Sequence, residues 1–193
     1  MTVRGGPLIL ASASPQRRAI LAQVGVPFEV APADVEELMI GAPEAVAAEN
    51  ARRKALAGDH GDALVLGADT VVAIDGEVLG KPRDALQAVA YVSRLAGRAH
   101  RVVGGIALAR SGAVIAEAVE VTEVVFRELD AGDIEAYVAL AEWEGRAGGY
   151  AIQGVGAVLV RSVSGDYLNV VGLPLARLLD LLPHGGLQQL LTR

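Results

Sequence analysis

The chain has 193 residues, of which 52% are hydrophobic and only 4% aromatic, so its core must be built mainly from aliphatic side chains. Charged residues make up 21% and the formal net charge is −6. The high hydrophobic fraction argues against disorder. The acidic balance argues against non-specific binding to nucleic acid, which requires Lys and Arg to neutralise phosphates. Because there is no cysteine, disulfides and thiolate metal sites are excluded.

The N-terminal segment predicts a strand, a tight turn and a helix. Residues 8–11 form a short apolar run typical of a buried strand. Ser14 is a good N-cap, Pro15 suits the first helical position, and Gly25 can end the helix. Free backbone N–H groups at a helix start favour phosphate, and Arg17 would add a two-pronged donor. The alternative is a capped surface helix with solvated arginines.

The middle of the chain predicts another strand, a longer helix and a hairpin. Residues 28–31 favour a strand, and residues 43–57 favour a helix whose far end carries Lys54. Residues 63–67 contain almost no polar side chain, which predicts a strand covered on both faces. A second strand segment then leads into Asp75-Gly76, a strong hairpin signal.

The second half predicts further helices and paired strands. Asp84 and Asp130 can cap helices that run to about residues 95 and 140. Four segments are interpreted as strands in two pairs, 102–109 with 113–126 and 157–163 with 167–171. A helix over 174–182 and a short amphipathic tail complete the chain. Because helices and strands are interleaved and hairpins break the alternation, the pattern predicts an α/β fold with a mixed sheet and flanking helices.

A candidate acidic site lies at Asp69, which directly follows an apolar run. Sheets of this class often place ligands at such strand ends. A carboxylate there can hold a divalent cation or orient a water, although a lone Asp more often caps a turn. Glu37 in an acidic turn and the cations Lys54 and Lys81 favour a site, since Mg²⁺ needs only one or two carboxylates together with waters and phosphates.

Other polar residues carry weaker signals. Gln153 lies between glycines, and its amide can read a nucleobase edge or simply bond to its own loop. Asp166 and Asn169 are interpreted as turn residues. His60, His100 and His184 lack metal-ligand spacing. Neither a Gly-x-Ser-x-Gly elbow nor a Gly-x-Gly-x-x-Gly fingerprint is present, so a serine hydrolase or a Rossmann enzyme has little support.

Three long motifs together resemble the Maf family of nucleotide pyrophosphatases. They occur in the family's order over nearly the whole chain, at residues 8–18, at 67–72 with 76–84, and at 148–154 with 165–174. The resemblance implies one domain over residues 1–193, with two lobes around a central cleft as in the inosine-triphosphate pyrophosphatases. It also implies cleavage of a nucleoside triphosphate between the α and β phosphates, a divalent cation (Mg²⁺ or Mn²⁺), and frequently a homodimer.

No apolar run is long enough for a signal or membrane segment, so we expect a cytoplasmic protein without membrane or nucleic-acid partners.

The resemblance also assigns roles to individual residues. Asp69 would be the catalytic proton acceptor and, with Glu37, a metal ligand. The remaining assignments fall into two groups. Those expected to bind phosphate are Ser12, Ser14, Arg17, Lys54 and Lys81. Those at positions tied to base selection are Gln16, Thr70 and Gln153.

The signals for base preference disagree. Gln16 takes the place of the first of two arginines found in the dTTP/UTP branch, so the first motif resembles the 7-methyl-GTP branch instead. Thr70 and Gln153 resemble the dTTP/UTP branch, and because two separate motifs agree we favour dTTP and UTP, with broad specificity as an alternative. Two other functions stay open: a nucleotide-binding regulator of division or septum formation with little catalysis, and a phosphatase that releases orthophosphate.

Overall fold

The computed structural model describes residues 8–182, so His184 and the predicted C-terminal tail lie outside the described residues. One sheet of seven strands runs in the order β2-β1-β3-β5-β6-β7, with β4 paired to β3. The strands are β1 (Leu8–Leu10), β2 (Phe28–Val30), β3 (Val65–Ile74), β4 (Glu77–Leu79), β5 (Ala99–Arg110), β6 (Ala113–Phe126) and β7 (Val160–Ser164). The helices are α1 (Pro15–Gln23), α2 (Pro43–Leu56), α3 (Ala85–Leu95), α4 (Ala131–Ala139), α5 (Tyr167–Val171) and α6 (Leu175–Leu181).

The pairing confirms the predicted mixed α/β sheet. Strand β1 pairs in parallel with β2 and β3, whereas the remaining pairs are antiparallel. The hairpin between β3 and β4 turns at Asp75 and Gly76, which both have positive φ angles of 55° and 79°. Asp84 and Asp130 accept backbone hydrogen bonds as N-caps of α3 and α4, as predicted.

The prediction for residues 157–171 was partly wrong. Only Val160–Ser164 forms a strand, preceded by a 3₁₀ helix over Val155–Leu159, and residues 167–171 form helix α5 instead of a second strand. A five-residue segment with four apolar side chains fits either the helix or the strand period. The cap decides the outcome, because the Asp166 carboxylate accepts a hydrogen bond from the Leu168 N–H at 2.8 Å.

Asn169 is not the turn residue that the sequence suggested. It lies in α5 and is fully buried. Its amide nitrogen donates to the Val102 carbonyl at 3.1 Å and to Thr122 Oγ1 at 3.0 Å. Asn169 therefore fixes α5 to the neighbouring strands β5 and β6.

Helix α2 lies unusually close to the sheet because two facing sheet positions are glycine. A Cβ atom on Gly67 would overlap the backbone of α2 at Ala51 and Ala55, and one on Gly105 would overlap the backbone at Ala47. Gly67 belongs to β3 and Gly105 to β5. This contact brings one face of α2 directly over the centre of β3.

The apolar core of the described residues falls into several clusters. One large cluster joins the end of β3 to α3 and α4, with Val72, Val92 and Tyr137 among its members. Another joins β1, α1 and α6, and includes Leu10 and Leu66. Strand β3 contributes to both clusters and therefore joins them.

His100 belongs to a buried aromatic group, although the sequence indicated only that it lies near a strand start. It is 2% exposed, and its Nε2 lies 2.9 Å from the Tyr150 hydroxyl. The His100 ring packs edge-on against Phe126 at a centroid distance of 4.9 Å. Burial lowers the pKa of His100 from 6.5 to about 4.

We expect this histidine to make folding stability depend on pH. Between pH 6.5 and about 4 the unfolded state binds the proton more readily than the folded state, so the contribution is complete above 6.5 and is lost as the pH falls. His100→Gln retains a hydrogen-bonding group for Tyr150 but does not titrate. Urea unfolding across this pH interval should therefore show a smaller loss of stability in the variant, and equal losses in both proteins would contradict the assignment.

Candidate active site

A cleft with a volume of about 980 Å³ is lined by segments from all three sequence motifs. Every residue that the sequence predicted for the site lines this cleft. These residues are Ser12, Ser14, Gln16, Arg17, Glu37, Lys54, Asp69, Thr70, Lys81 and Gln153. The structure thus brings together groups that are separated by up to 141 positions in sequence.

The start of α1 forms one wall of the cleft. Ser14 caps the helix by accepting a hydrogen bond from the Arg17 N–H at 3.4 Å, and Pro15 occupies the first turn. The Ser14 hydroxyl also donates to Gln16 Oε1 at 3.2 Å. The predicted cap is therefore confirmed. Because Pro15 has no N–H and the Arg17 N–H is donated to Ser14, the Gln16 N–H is the donor of the first turn that is left for an anion.

Arg17 is a buried link between the three motifs, not a solvated surface arginine. Its Nη1 donates to Ser12 Oγ at 2.8 Å, its Nη2 to Thr70 Oγ1 at 3.2 Å, and its Nε to the Gly172 carbonyl at 2.9 Å. Burial lowers the pKa of the guanidinium, while the charges of Asp69 and Glu37 raise it. A guanidinium has five N–H donors, so two remain for a ligand.

Lys54 connects two carboxylates at the centre of the cleft. Its Nζ lies 2.7 Å from Asp69 Oδ1 and 2.6 Å from Glu37 Oε1. The side chains of Lys54 and Asp69 are only 9% and 8% exposed, so little water screens this pair. Lys81 lies at the edge, 58% exposed, with its Nζ 3.8 Å from Glu37 Oε2. Helix α2 supplies Lys54 and strand β3 supplies Asp69. The ion pair between them therefore depends on the close contact of this helix with the sheet.

Asn50 is a site residue that the sequence analysis missed. Its Nδ2 donates to Asp69 Oδ2 at 3.0 Å, and the side chain is almost fully buried. Asn50 precedes Lys54 by one helical turn, so both lie on the same face of α2. That spacing was a usable signal, but an Asn inside a predicted helix does not by itself indicate a buried partner.

Glu142 is a second missed residue, and it holds the loop that carries Gln153. Its carboxylate oxygens accept hydrogen bonds from the Val155 N–H at 2.9 Å and the Gly156 N–H at 2.7 Å. Gln153 itself is exposed to the cleft. No local pattern in the sequence predicts this contact, because Glu142 lies in an irregular segment after α4.

The oxygen donors of the site suit a hard divalent cation. Asp69 and Glu37 both line the cleft and both reach the same ammonium group, which places their carboxylates near each other. Within residues 8–182 there is no group of three or more acidic, His or Cys side chains that could hold a metal. A cation would therefore need waters or phosphate oxygens as additional ligands, which is the usual situation for Mg²⁺ bound with a nucleotide.

Comparison with known proteins identifies the family. The profile described as "Maf-like protein" matches residues 7–184. A protein named dTTP/UTP pyrophosphatase from Symbiobacterium thermophilum is 47% identical over 183 residues, covering 93% of this chain and 94% of its own length. One with the same name from Moorella thermoacetica is 45% identical, with coverage of 93% and 95%. The chain belongs to the Maf family, and the family predicted from its motifs is confirmed.

Among solved structures, a HAM1 protein from Coxiella burnetii aligns with a TM-score of 0.46 at 20% identity, covering 62% of this chain and 72% of that chain. A nucleoside-triphosphatase (dITP/XTP pyrophosphatase) from Mycobacterium abscessus aligns with a TM-score of 0.42 at 18% identity, covering 65% and 76%.

Over residues 8–182, none of the helices is both long enough and apolar enough to span a membrane.

Replacing Lys54 with Met should strongly destabilise the fold. The change leaves the buried Asp69 carboxylate beside Glu37 without its counter-charge, and breaking a buried ion pair in this way costs about 3–5 kcal/mol. The matched control is Lys81→Met, which removes an exposed ammonium that contacts the same Glu37 and should cost about 0–1 kcal/mol. Urea unfolding measures both, and equal losses would contradict the central position given to Lys54.

Proposed function

We propose that this protein hydrolyses dTTP and UTP to the nucleoside monophosphate and pyrophosphate. It is a nucleoside triphosphate pyrophosphatase, as its sequence predicted, and relatives 43–47% identical to it bear the name dTTP/UTP pyrophosphatase. The observation that carries the proposal is the ion cluster in which Lys54 binds both Asp69 and Glu37 inside the cleft. This cluster combines a base for water with positive charge for phosphate oxygens.

Asp69 acts in this proposal as the general base. Its carboxylate orients a water molecule and accepts a proton while the water oxygen bonds to the α phosphorus. The bond from the α phosphorus to the bridging oxygen breaks, and that oxygen leaves with pyrophosphate. Lys54 and Asn50 hold the two oxygens of the Asp69 carboxylate at 2.7 and 3.0 Å, so the base is already oriented before substrate binds.

The cationic side chains stabilise the charge that develops on the leaving group. Lys54 and Lys81 lie on the Glu37 side of the cleft. Arg17 lies on the Ser12 and Thr70 side and keeps two N–H donors free. Ser12, Ser14 and the start of α1 add donors to phosphate oxygens. Donors that are already fixed in place need no reorganisation during the reaction, which is the main source of electrostatic catalysis.

The proposal includes a divalent cation, Mg²⁺ or Mn²⁺, held by Asp69 and Glu37. When bound, it would neutralise triphosphate charge and act as a Lewis acid at the phosphoryl oxygens. The hard oxygen donors of the two residues suit such an ion. The cation would share both carboxylates with the ammonium of Lys54.

Base selection is assigned to three residues, Thr70, Gln153 and Gln16. The Thr70 hydroxyl contacts Arg17 and lies 3.3 Å from the Gly172 carbonyl, so its orientation is fixed. The Gln153 amide is exposed in the cleft and offers both a donor and an acceptor, as the edge of thymine or uracil requires. Gln16 bonds to Ser14 at the start of α1. A cytoplasmic homodimer completes the proposal.

Asp69→Asn should retain the fold and lose nearly all turnover. An amide of the same shape cannot accept the proton, and removal of one group of this kind lowers the rate by about 10²–10³-fold or more. The measurement is release of pyrophosphate from dTTP and UTP with Mg²⁺ or Mn²⁺, with circular dichroism as the folding control. Near-normal turnover in the variant, or orthophosphate as the first product of the wild type, would refute the mechanism. Tight nucleotide binding without any turnover would favour the regulator instead.

Gln153→Ala should weaken base selection without affecting the chemical step. Loss of one or two hydrogen bonds to the base edge should lower kcat/KM for dTTP and UTP about tenfold, while 7-methyl-GTP should change much less. Gln16→Ala serves as the paired variant, since Gln16 is the feature that resembles the other branch. If Gln16→Ala rather than Gln153→Ala altered the ratio between these substrates, the assignment of the base-reading residue would be wrong.

A further inference from the structure

The segment between β2 and α2 carries Glu37 but contains no helix or strand. Polar side chains on one face of α2 contact this segment. Lys54 binds the Glu37 carboxylate, and Arg53 Nη1 donates to the Glu36 carbonyl at 3.2 Å. We call residues 31–42 the acidic loop. Its backbone is also bonded to the Asn50 side chain at Leu38.

Both the oxygen and the nitrogen of the Asn50 side-chain amide form hydrogen bonds, three in all. Its Oδ1 accepts from the Leu38 N–H at 2.7 Å, and its Nδ2 donates to the Leu38 carbonyl at 3.0 Å. The second hydrogen of the same Nδ2 donates to Asp69 Oδ2 at 3.0 Å. The presence of a carboxylate acceptor fixes which end of the amide is nitrogen, because the reversed amide would place oxygen against oxygen.

Only asparagine fits this arrangement of donors and acceptors. Aspartate has the same shape but cannot donate two hydrogen bonds, and leucine can make none of the three. Asn50 is 1% exposed, so an unsatisfied partner there could not be compensated freely by water. Asn50 bonds directly to one carboxylate of the site, Asp69, and to the backbone of Leu38, the residue after Glu37.

We propose that Asn50 is a positioning residue that couples the acidic loop to Asp69 and so fixes the spacing of the Asp69 and Glu37 carboxylates. The inference rests on the proposed function, since this spacing matters only if both carboxylates serve one substrate or cation. Groups that orient ligating or catalytic carboxylates typically change activity about 10–100-fold when they are removed. Asn50 should act on kcat more than on KM, because it supports the base and not the nucleoside.

The chain offers a spectroscopic probe that needs neither metal nor nucleotide. It contains two methionines, and Met39 lies in the acidic loop with its methyl group against Gly80. In the protein labelled with ¹³C at the methionine methyl groups, Asn50→Leu should move the Met39 resonance toward the value of an unfolded chain. Met39→Leu assigns the signal. An unchanged resonance would overturn the coupling.

Kinetics of the same variants test the contact with Asp69. We expect Asn50→Leu and Asn50→Asp each to lower kcat for dTTP about 10–100-fold with a smaller change in KM. Arg53→Gln is the matched control, because it also removes a contact to the acidic loop but does not touch Asp69, and it should lower kcat less than about threefold. Equal losses in Arg53→Gln, or kcat near the wild-type value in Asn50→Asp, would overturn the proposal.

Two outcomes separate this inference from the proposed function. If Asn50→Leu does not fold, Asn50→Asp decides, since it retains the size of the side chain and the acceptor for the Leu38 N–H. If the wild type hydrolyses no nucleoside triphosphate, the proposed function fails, and the coupling to catalysis fails with it, whatever the Met39 resonance does. If the wild type is active and the Asn50 variants match it, only the positioning role is lost.

Discussion

The close contact between α2 and the sheet determines the geometry of the whole site. Gly67 and Gly105 lack the side chains that would hold the helix away, since a Cβ at either position would overlap the helix backbone. Because the helix lies so near, side chains as short as Asn50 and as long as Lys54 both reach Asp69. A larger residue at either glycine would move the helix outward and separate the ammonium from the carboxylates. The site thus depends on the absence of two side chains in the strands below it.

The cationic side chains in the cleft explain how an acidic protein can accommodate a polyanion. The net charge of −6 opposes phosphate binding at long range. Inside the cleft, Arg17, Lys54 and Lys81 are concentrated near two carboxylates. Low exposure of Lys54 and Asp69 strengthens their interaction relative to a surface pair. The same cluster contributes to stability and to the proposed catalysis. For each variant in it, folding stability therefore has to be measured as well as the reaction rate.

Arg17 connects the first, second and third motifs through Ser12, Thr70 and Gly172. The carbonyl of Gly172 follows directly from α5, the helix that the sequence did not predict. A strand over residues 167–171 would not have brought this carbonyl to the guanidinium in the same way. The geometry of the cleft therefore depends on the Asp166 cap that converts the segment into a helix.

Sequence reasoning predicted the parts of the site that have a local signature. The Ser14 cap with Pro15 follows from the rules for helix starts. Asp69 was expected at a strand end, but it lies inside β3, which runs unbroken over Val65–Ile74. Mixed pairing followed from the hairpins. Asn50 and Glu142 were missed because their importance lies in partners that are distant or irregular in sequence. For His100 the sequence indicated only a strand start, since its burial depends on packing against Phe126 of β6 and Tyr150 of the third motif, which are distant in sequence. The strand prediction for residues 167–171 was wrong because a segment of four apolar residues and one Asn is too short to distinguish helical from strand periodicity.

The most direct test of the account is a crystal structure with Mn²⁺ and a thymidine triphosphate analogue whose α–β bridge is an imido group. Anomalous scattering locates the cation independently of the nucleotide. The account predicts Mn²⁺ in contact with the carboxylates of Asp69 and Glu37, the triphosphate between Lys54, Lys81 and Arg17, and the base near Gln153. A nucleotide bound outside this cleft, or a cation held by other residues, would contradict it.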